Sequence, residues 1–207
     1  MNGALRLAIA ALAVLALAAC NKGGQAASSD DMSLGNANAK VTMIEYASVA
    51  CPICAKFNDD VFPEFKKKYI DTGKVHYVAR EALTGNPALA SSGFLLARCA
   101  GKDKYFQVTD AVFRAQDQIY EPGTENVQPA VARDILSKIA QEAGLSEDQM
   151  TQCFNDKAAI QALQNRVEKY SRKDSVDSTP TFLINGKKLE GYQTMEQLDA
   201  AIQPLLK

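Results

Sequence analysis

Histidine is almost missing from this chain: His76 is the single one among 207 residues. Cysteine is scarce too, with five, and tryptophan is absent, which carries no functional signal. A zinc centre needs four soft or imidazole ligands in close pairs. Here only Cys51 and Cys54 stand close together, and His76, Cys99 and Cys153 offer no second close pair, so no metal is implied. Covalent haem attachment would need histidine directly after Cys54, and that position is Ala55. No cofactor is indicated. Charge of one sign is lacking as well: 23 basic side chains face 24 acidic ones, with no basic stripe, which argues against nucleic acid as a partner. Only one long apolar run exists, Leu7 to Ala19, and no later stretch is long enough to cross a membrane. Internal repeats and a low-complexity core are also missing.

The apolar run is short for a membrane span, follows Arg6, and reads as a signal peptide over residues 1–19. It closes on Leu17-Ala18-Ala19-Cys20, which resembles the lipobox of bacterial lipoproteins. By that resemblance Cys20 becomes a lipidated N-terminus. Ordinary cleavage at Ala16-Leu17-Ala18 is the alternative. Both predict export, and several acyl chains at about 0.8 kcal/mol per buried methylene would hold the protein on a membrane. Residues 20–39, rich in Gly, Ser, Ala and Asn, read as a flexible tether.

Cys51-Pro52-Ile53-Cys54 follows a strand-like run, Val41 to Tyr46, and opens a helical pattern from Pro52 to Ile70. A helix N-terminus carries unpaired N–H groups and partial positive charge, which stabilise a thiolate. Pro52 suits the first helical turn. Cys54 lies one turn on and can close a small reducible ring. Pro63 inside the pattern is expected to kink or split the helix. Lys66, Lys67 and Lys68 read as its solvated face. A second strand runs from Lys74 to Arg80, and His76 within it reads as a surface or satisfied core residue rather than a catalytic one.

From about Pro87 to Arg172 the pattern is helical, with candidate helices at 88–99, 105–116, 128–143, a short one after Ser146, and 157–172. Ser146 with Gln149 fits a capping box. Thr181 to Ile184, Asn185-Gly186 and Lys187 to Leu189 form a hairpin signal, and a last helix spans about 194–202. The strands bracket the helices, which predicts one α/β sheet with a helical insertion. Export leaves Cys99 and Cys153 either as buried free thiols or as a structural disulfide that pins the insertion, and the oxidising compartment favours the disulfide.

Ile44 to Cys54 together with Ser178-Thr179-Pro180-Thr181-Phe182-Leu183-Ile184-Asn185-Gly186 resembles the DsbA-like thiol–disulfide oxidoreductases of the thioredoxin superfamily. The resemblance implies a thioredoxin fold at 40–86 and 173–207, with an inserted helical domain at 87–172. It implies that Cys51 is the attacking thiolate and Cys54 the resolving partner. Pro180 matches the family's cis-proline, and Thr179 before it would pair with an extended substrate strand, alongside Pro52 and Ile53. Glu45 matches a buried acid that relays the Cys54 proton; the alternative is a strand residue facing solvent, against which Ile44 and Tyr46 flank it in a strand expected at the sheet centre. Ile53 stands where strong oxidants carry histidine, and Thr179 where some carry valine, which leaves the net direction open between oxidase, reductase and isomerase. The implied partners are unfolded or cysteine-containing exported proteins and a membrane redox partner, either a quinone-linked oxidase or a thiol reductant. The implied place is the periplasmic side of a bacterial membrane. A non-catalytic lipoprotein that binds peptides near Pro180 is the rival from another class.

Overall fold

A computed structural model describes residues 30–207. The expected signal peptide at 1–19 and the expected lipidation at Cys20 lie outside the described residues. Strand β2 (Val41–Ala47) sits at the centre of a five-stranded sheet of order β1-β3-β2-β4-β5. It pairs in parallel with β3 (Val75–Glu81) and antiparallel with β4 (Thr181–Ile184). Central position explains its near-continuous burial, since both faces are covered. The hairpin β4–β5 (β5, Lys187–Glu190) turns on Asn185 and Gly186, both with positive φ, 46° and 86°. That is the backbone a two-residue primed turn requires.

One correction concerns the tether. Its last ten residues are part of the fold: β1 (Met32–Leu34) pairs antiparallel with the outer edge of β3. Met32 is buried there, and the pairing satisfies backbone groups that β3 would otherwise expose. Three residues in a polar, glycine-containing stretch are too short to show a period of two.

Helix α1 (Pro52–Asp60) starts directly behind Cys51 and packs Phe57 on the sheet. Pro63 breaks the helical pattern beyond it into α2 (Phe62–Phe65) and a π-helical turn, Lys66–Ile70. Together with α9 (Met195–Ile202) these cover one sheet face over Val41, Met43, Val75, Phe182 and Ile184. The other face carries Ile44, Tyr46, Val78 and Leu183 under Tyr170.

Six helices lie between β3 and β4: α3 (Pro87–Cys99), α4 (Tyr105–Arg114), α5 (Gln116–Ile119), α6 (Pro129–Glu142), α7 (Glu147–Asn155) and α8 (Lys157–Asp174). They enclose their own core, with Phe94, Leu96, Val112, Leu136 and Leu163 among its members. Both halves of the Ser146–Gln149 capping box form. Buried Glu81 at the end of β3 accepts from Arg98 of α3 and from Arg166 of α8 at 3.1 Å, tying the helices to the sheet. A disulfide joins Cys99 and Cys153, 54 residues apart, across α3 and α7. By loop entropy, opening a cross-link of that span removes about 4 kcal/mol. The double variant Cys99→Ser/Cys153→Ser is therefore expected to lose about that much unfolding free energy in urea titration. A loss below about 1 kcal/mol would show that the helices hold themselves.

Candidate active site

Cys51 occupies the N-cap of α1 with extended backbone, φ −98° and ψ 118°, and Pro52 takes the first helical position. No side chain caps this helix end. The unpaired N–H groups therefore face the Cys51 sulfur, and the backbone of Ile53 and Cys54 bonds to it. The Cys51 thiol is lowered to about 6, first by the hydrogen bond from the Cys54 thiol, against the opposing effect of burial. The Thr179 hydroxyl and the helix N–H groups add to the lowering. Cys54 is fully buried, and burial pushes its thiol well above the ordinary value, with the Cys51 bond and charge adding to it. Both cysteines are free thiols, and Cys51 keeps a small exposure of 8%. One sulfur of the pair thus ionises near neutrality with slight exposure, while its neighbour holds its proton in full burial.

The Thr179–Pro180 peptide is cis, and the Thr179 carbonyl lies 3.7 Å from the Cys51 sulfur. A carbonyl favours the protonated thiol, whereas the donors around it favour the thiolate, and the donors prevail. The Thr179 and Thr84 hydroxyls are 2.5 Å apart, fixing the Thr179 side chain against the loop after β3. Ile53 beside the dithiol is 48% exposed, an unusual state for a large apolar side chain.

Glu45 points into the protein beneath the dithiol. It is buried in β2, opposite Ala79 and Phe182, and accepts a hydrogen bond from Tyr77 at 2.7 Å. Burial raises its carboxyl to about 7; the Tyr77 bond opposes this, and the Cys51 charge adds to it. It also borders a cavity of roughly 350 Å³ between α1, α2 and α4, walled by rings such as Phe57, Phe62 and Phe106. The solvent-facing alternative for Glu45 does not hold, because β2 is covered on both faces. His76 is buried in β3 opposite Thr42, and burial lowers its imidazole below the usual range.

The helical insertion holds the dithiol loop, a role that reading the sequence missed. Gln116 donates to the carbonyls of Val49 (2.8 Å) and Cys51 (3.3 Å), and Tyr120 donates to Ala50 (2.7 Å). The available signal was the spacing of Val108, Val112 and Gln116, which places a polar group on the buried side of a helical stretch. Gly85 makes the loop's close approach feasible. Its φ is +72°, and a Cβ there would stand 2.2 Å from the Ala50 carbonyl oxygen. Gly85→Ala is thus expected to cost about 1–3 kcal/mol from the backbone conformation alone, and to displace the Cys51 backbone. Urea unfolding checks the first effect, and a shift of the Cys51 titration midpoint the second.

A five-stranded mixed sheet with a dithiol at the first helix and helices inserted between its halves is a thioredoxin fold with a helical insertion. The family model described as Thioredoxin matches residues 27–204, and the chain belongs to that family, in its DsbA-like branch. It is 31% identical over 173 residues to a putative protein-disulfide oxidoreductase of Rickettsia bellii, a match that covers 84% of this chain and 63% of that protein. The chain thus spans slightly less than two thirds of that relative's length. It is 24% identical over 174 residues to disulfide bond formation protein D of Bacillus subtilis, covering 84% of this chain and 76% of that protein. Among solved structures, Wolbachia pipientis alpha-DsbA1 superposes with a TM-score of 0.75 at 29% identity, over 88% of this chain and 94% of that one.

Proposed function

We propose that the chain is a thiol–disulfide oxidoreductase that passes its Cys51–Cys54 disulfide to exported protein thiols. The observation that carries this reading is the unequal pair: a reachable sulfur at a helix N-terminus and a buried one behind it. A substrate thiolate attacks Sγ of Cys51; the Cys51–Cys54 bond breaks and Cys54 leaves. Burial makes a Cys54 thiolate costly, so Glu45, poised near 7, supplies the proton. A second substrate thiolate attacks the substrate sulfur bonded to Cys51. The substrate disulfide forms, Cys51 leaves as a thiolate, and two electrons remain on the dithiol. Because Cys51 is a good leaving group, the disulfide is the less stable state, which favours donation. A membrane redox partner, quinone-linked, would reoxidise the pair.

Thr179 and Pro180 would pair with the substrate backbone, with Pro52 and exposed Ile53 beside it as apolar contacts. Export and the lipid on Cys20 rest on the sequence of residues 1–20 and place the protein on the periplasmic side of a bacterial membrane. The test is equilibration with a glutathione buffer. The reading expects a potential above the value of about −270 mV typical of thioredoxin. A potential at or below that value would make the protein a reductant.

A further inference from the structure

The loop that carries Thr179 is anchored from behind by an ion cluster on the opposite side of the sheet from α1. Helix α8 ends at Asp174, and Ser175 takes the left-handed conformation with φ 52°. Val176 N–H then closes the turn on the Ser171 carbonyl at 2.9 Å. From there to Thr179 the chain is mostly exposed. Lys188 donates to the Ser175 carbonyl at 2.5 Å and Thr181 to the Ser178 carbonyl at 2.9 Å, and Asp174 supplies the buried anchor at the upstream end. Its carboxylate accepts from Arg80 Nη1 at 2.7 Å and from the Tyr46 hydroxyl at 2.5 Å. Arg80 also bonds Tyr46 (2.9 Å) and Asp31 (3.3 Å), and its guanidinium stacks over Tyr170 at 4.1 Å from the ring centre. The side chains of Arg80, Asp31 and Asp174 are 1%, 2% and 1% exposed.

We propose that Arg80 and Asp174 are positioning residues for substrate: through this buried cluster, which does not touch the dithiol, they set where Thr179 meets an extended polypeptide. Three features support this. The cluster's hydrogen bonds run among Arg80, Tyr46, Asp31 and Asp174, on the far side of the sheet from the dithiol. The cluster fixes the α8 terminus five residues before Thr179. Buried charge pairs lock one geometry, because a displaced partner leaves an uncompensated charge inside the protein. Asp31 adds a further link: the segment just before β1 joins the same cluster, so the N-terminal arm and the substrate loop share one arginine.

The inference rests on the reading that Thr179 pairs with substrate backbone, and the experiment separates the two. The oxidised protein is given two reductants, a synthetic dithiol peptide and dithiothreitol, which has no backbone to pair. Asp174→Asn is expected to raise the peptide KM about tenfold, while dithiothreitol oxidation stays within twofold. Tyr46→Phe, which removes the hydroxyl's bonds to Asp174, Arg80 and the Tyr170 carbonyl and keeps every charge, is expected to raise the peptide KM about threefold and keeps the test open if Asp174→Asn does not fold. An unchanged peptide KM in a folded variant overturns the proposal. So does a parallel loss with both reductants, since the cluster would then act on the dithiol or on the whole fold. If the unaltered protein shows no saturable preference for the peptide over dithiothreitol, the reading of Thr179 fails first.

Discussion

Cys51→Ser is expected to abolish disulfide exchange at pH 7, while Cys54→Ser traps substrates as stable mixed disulfides. The difference follows from the two environments. With a thiol near 6, Cys51 is mostly thiolate at pH 7. Cys54, pushed well above its ordinary value, is almost wholly protonated. Thiolate fraction alone separates them strongly in favour of Cys51. Lower basicity takes back part of that advantage, because nucleophilicity falls with pKa. Accessibility restores it, since the Cys54 sulfur is fully buried. In Cys54→Ser the reachable sulfur still attacks, and no second thiol stands behind it to release the adduct. Mass spectrometry after mixing with a peptide disulfide reads both outcomes. An adduct on Cys51→Ser would mean that the roles are reversed.

Glu45→Gln is expected to slow formation of the mixed disulfide from the oxidised protein about a hundredfold, a typical size for loss of a positioned acid or base. The pH dependence of that step, centred near 7 in the unaltered protein, should flatten. The same substitution is expected to stabilise the protein. A carboxyl raised in the folded state contributes stability that is complete below its ordinary value of 4.5 and is lost as pH rises through about 7. The full difference corresponds to about 3 kcal/mol. Glutamine keeps an acceptor for Tyr77 and carries no charge to bury. Urea unfolding of the oxidised protein should therefore show Glu45→Gln more stable than the parent at about pH 8 and nearly equal at about pH 4. Working with the disulfide form removes the Cys51 thiolate from the comparison. Equal stabilities at both values would mean that burying Glu45 in the sheet costs nothing, and a rate within twofold of the parent would end its role in proton transfer.

Local chemistry made much of this structure legible beforehand. The Val41 to Tyr46 run, proline at the first helical position, the Asn185-Gly186 turn and the Ser146 cap each act over a few residues, and each forms. Pro63 splits its helix for an equally local reason. What stayed hidden depends on chain segments meeting in space. Strand β1 exists because β3 offers it an edge. Gln116 and Tyr120 reach the dithiol loop from helices some 65 to 70 residues away in sequence. Arg80 looked like the polar end of a strand, yet it lies buried between residues 31 and 174. The buried state of Glu45 was implied by family likeness and by its apolar neighbours Ile44 and Tyr46; the helices that cover both faces of its strand needed the fold.

The most direct measurement is the pH dependence of Cys51 alkylation by iodoacetamide in the reduced protein, followed by mass spectrometry at each pH. A sigmoid with its midpoint near 6, and no reaction at Cys54 across the same range, is the expected result. A midpoint at the ordinary thiol value of about 8.5 would contradict it, because neither the Cys54 bond nor the helix end would then be stabilising that thiolate.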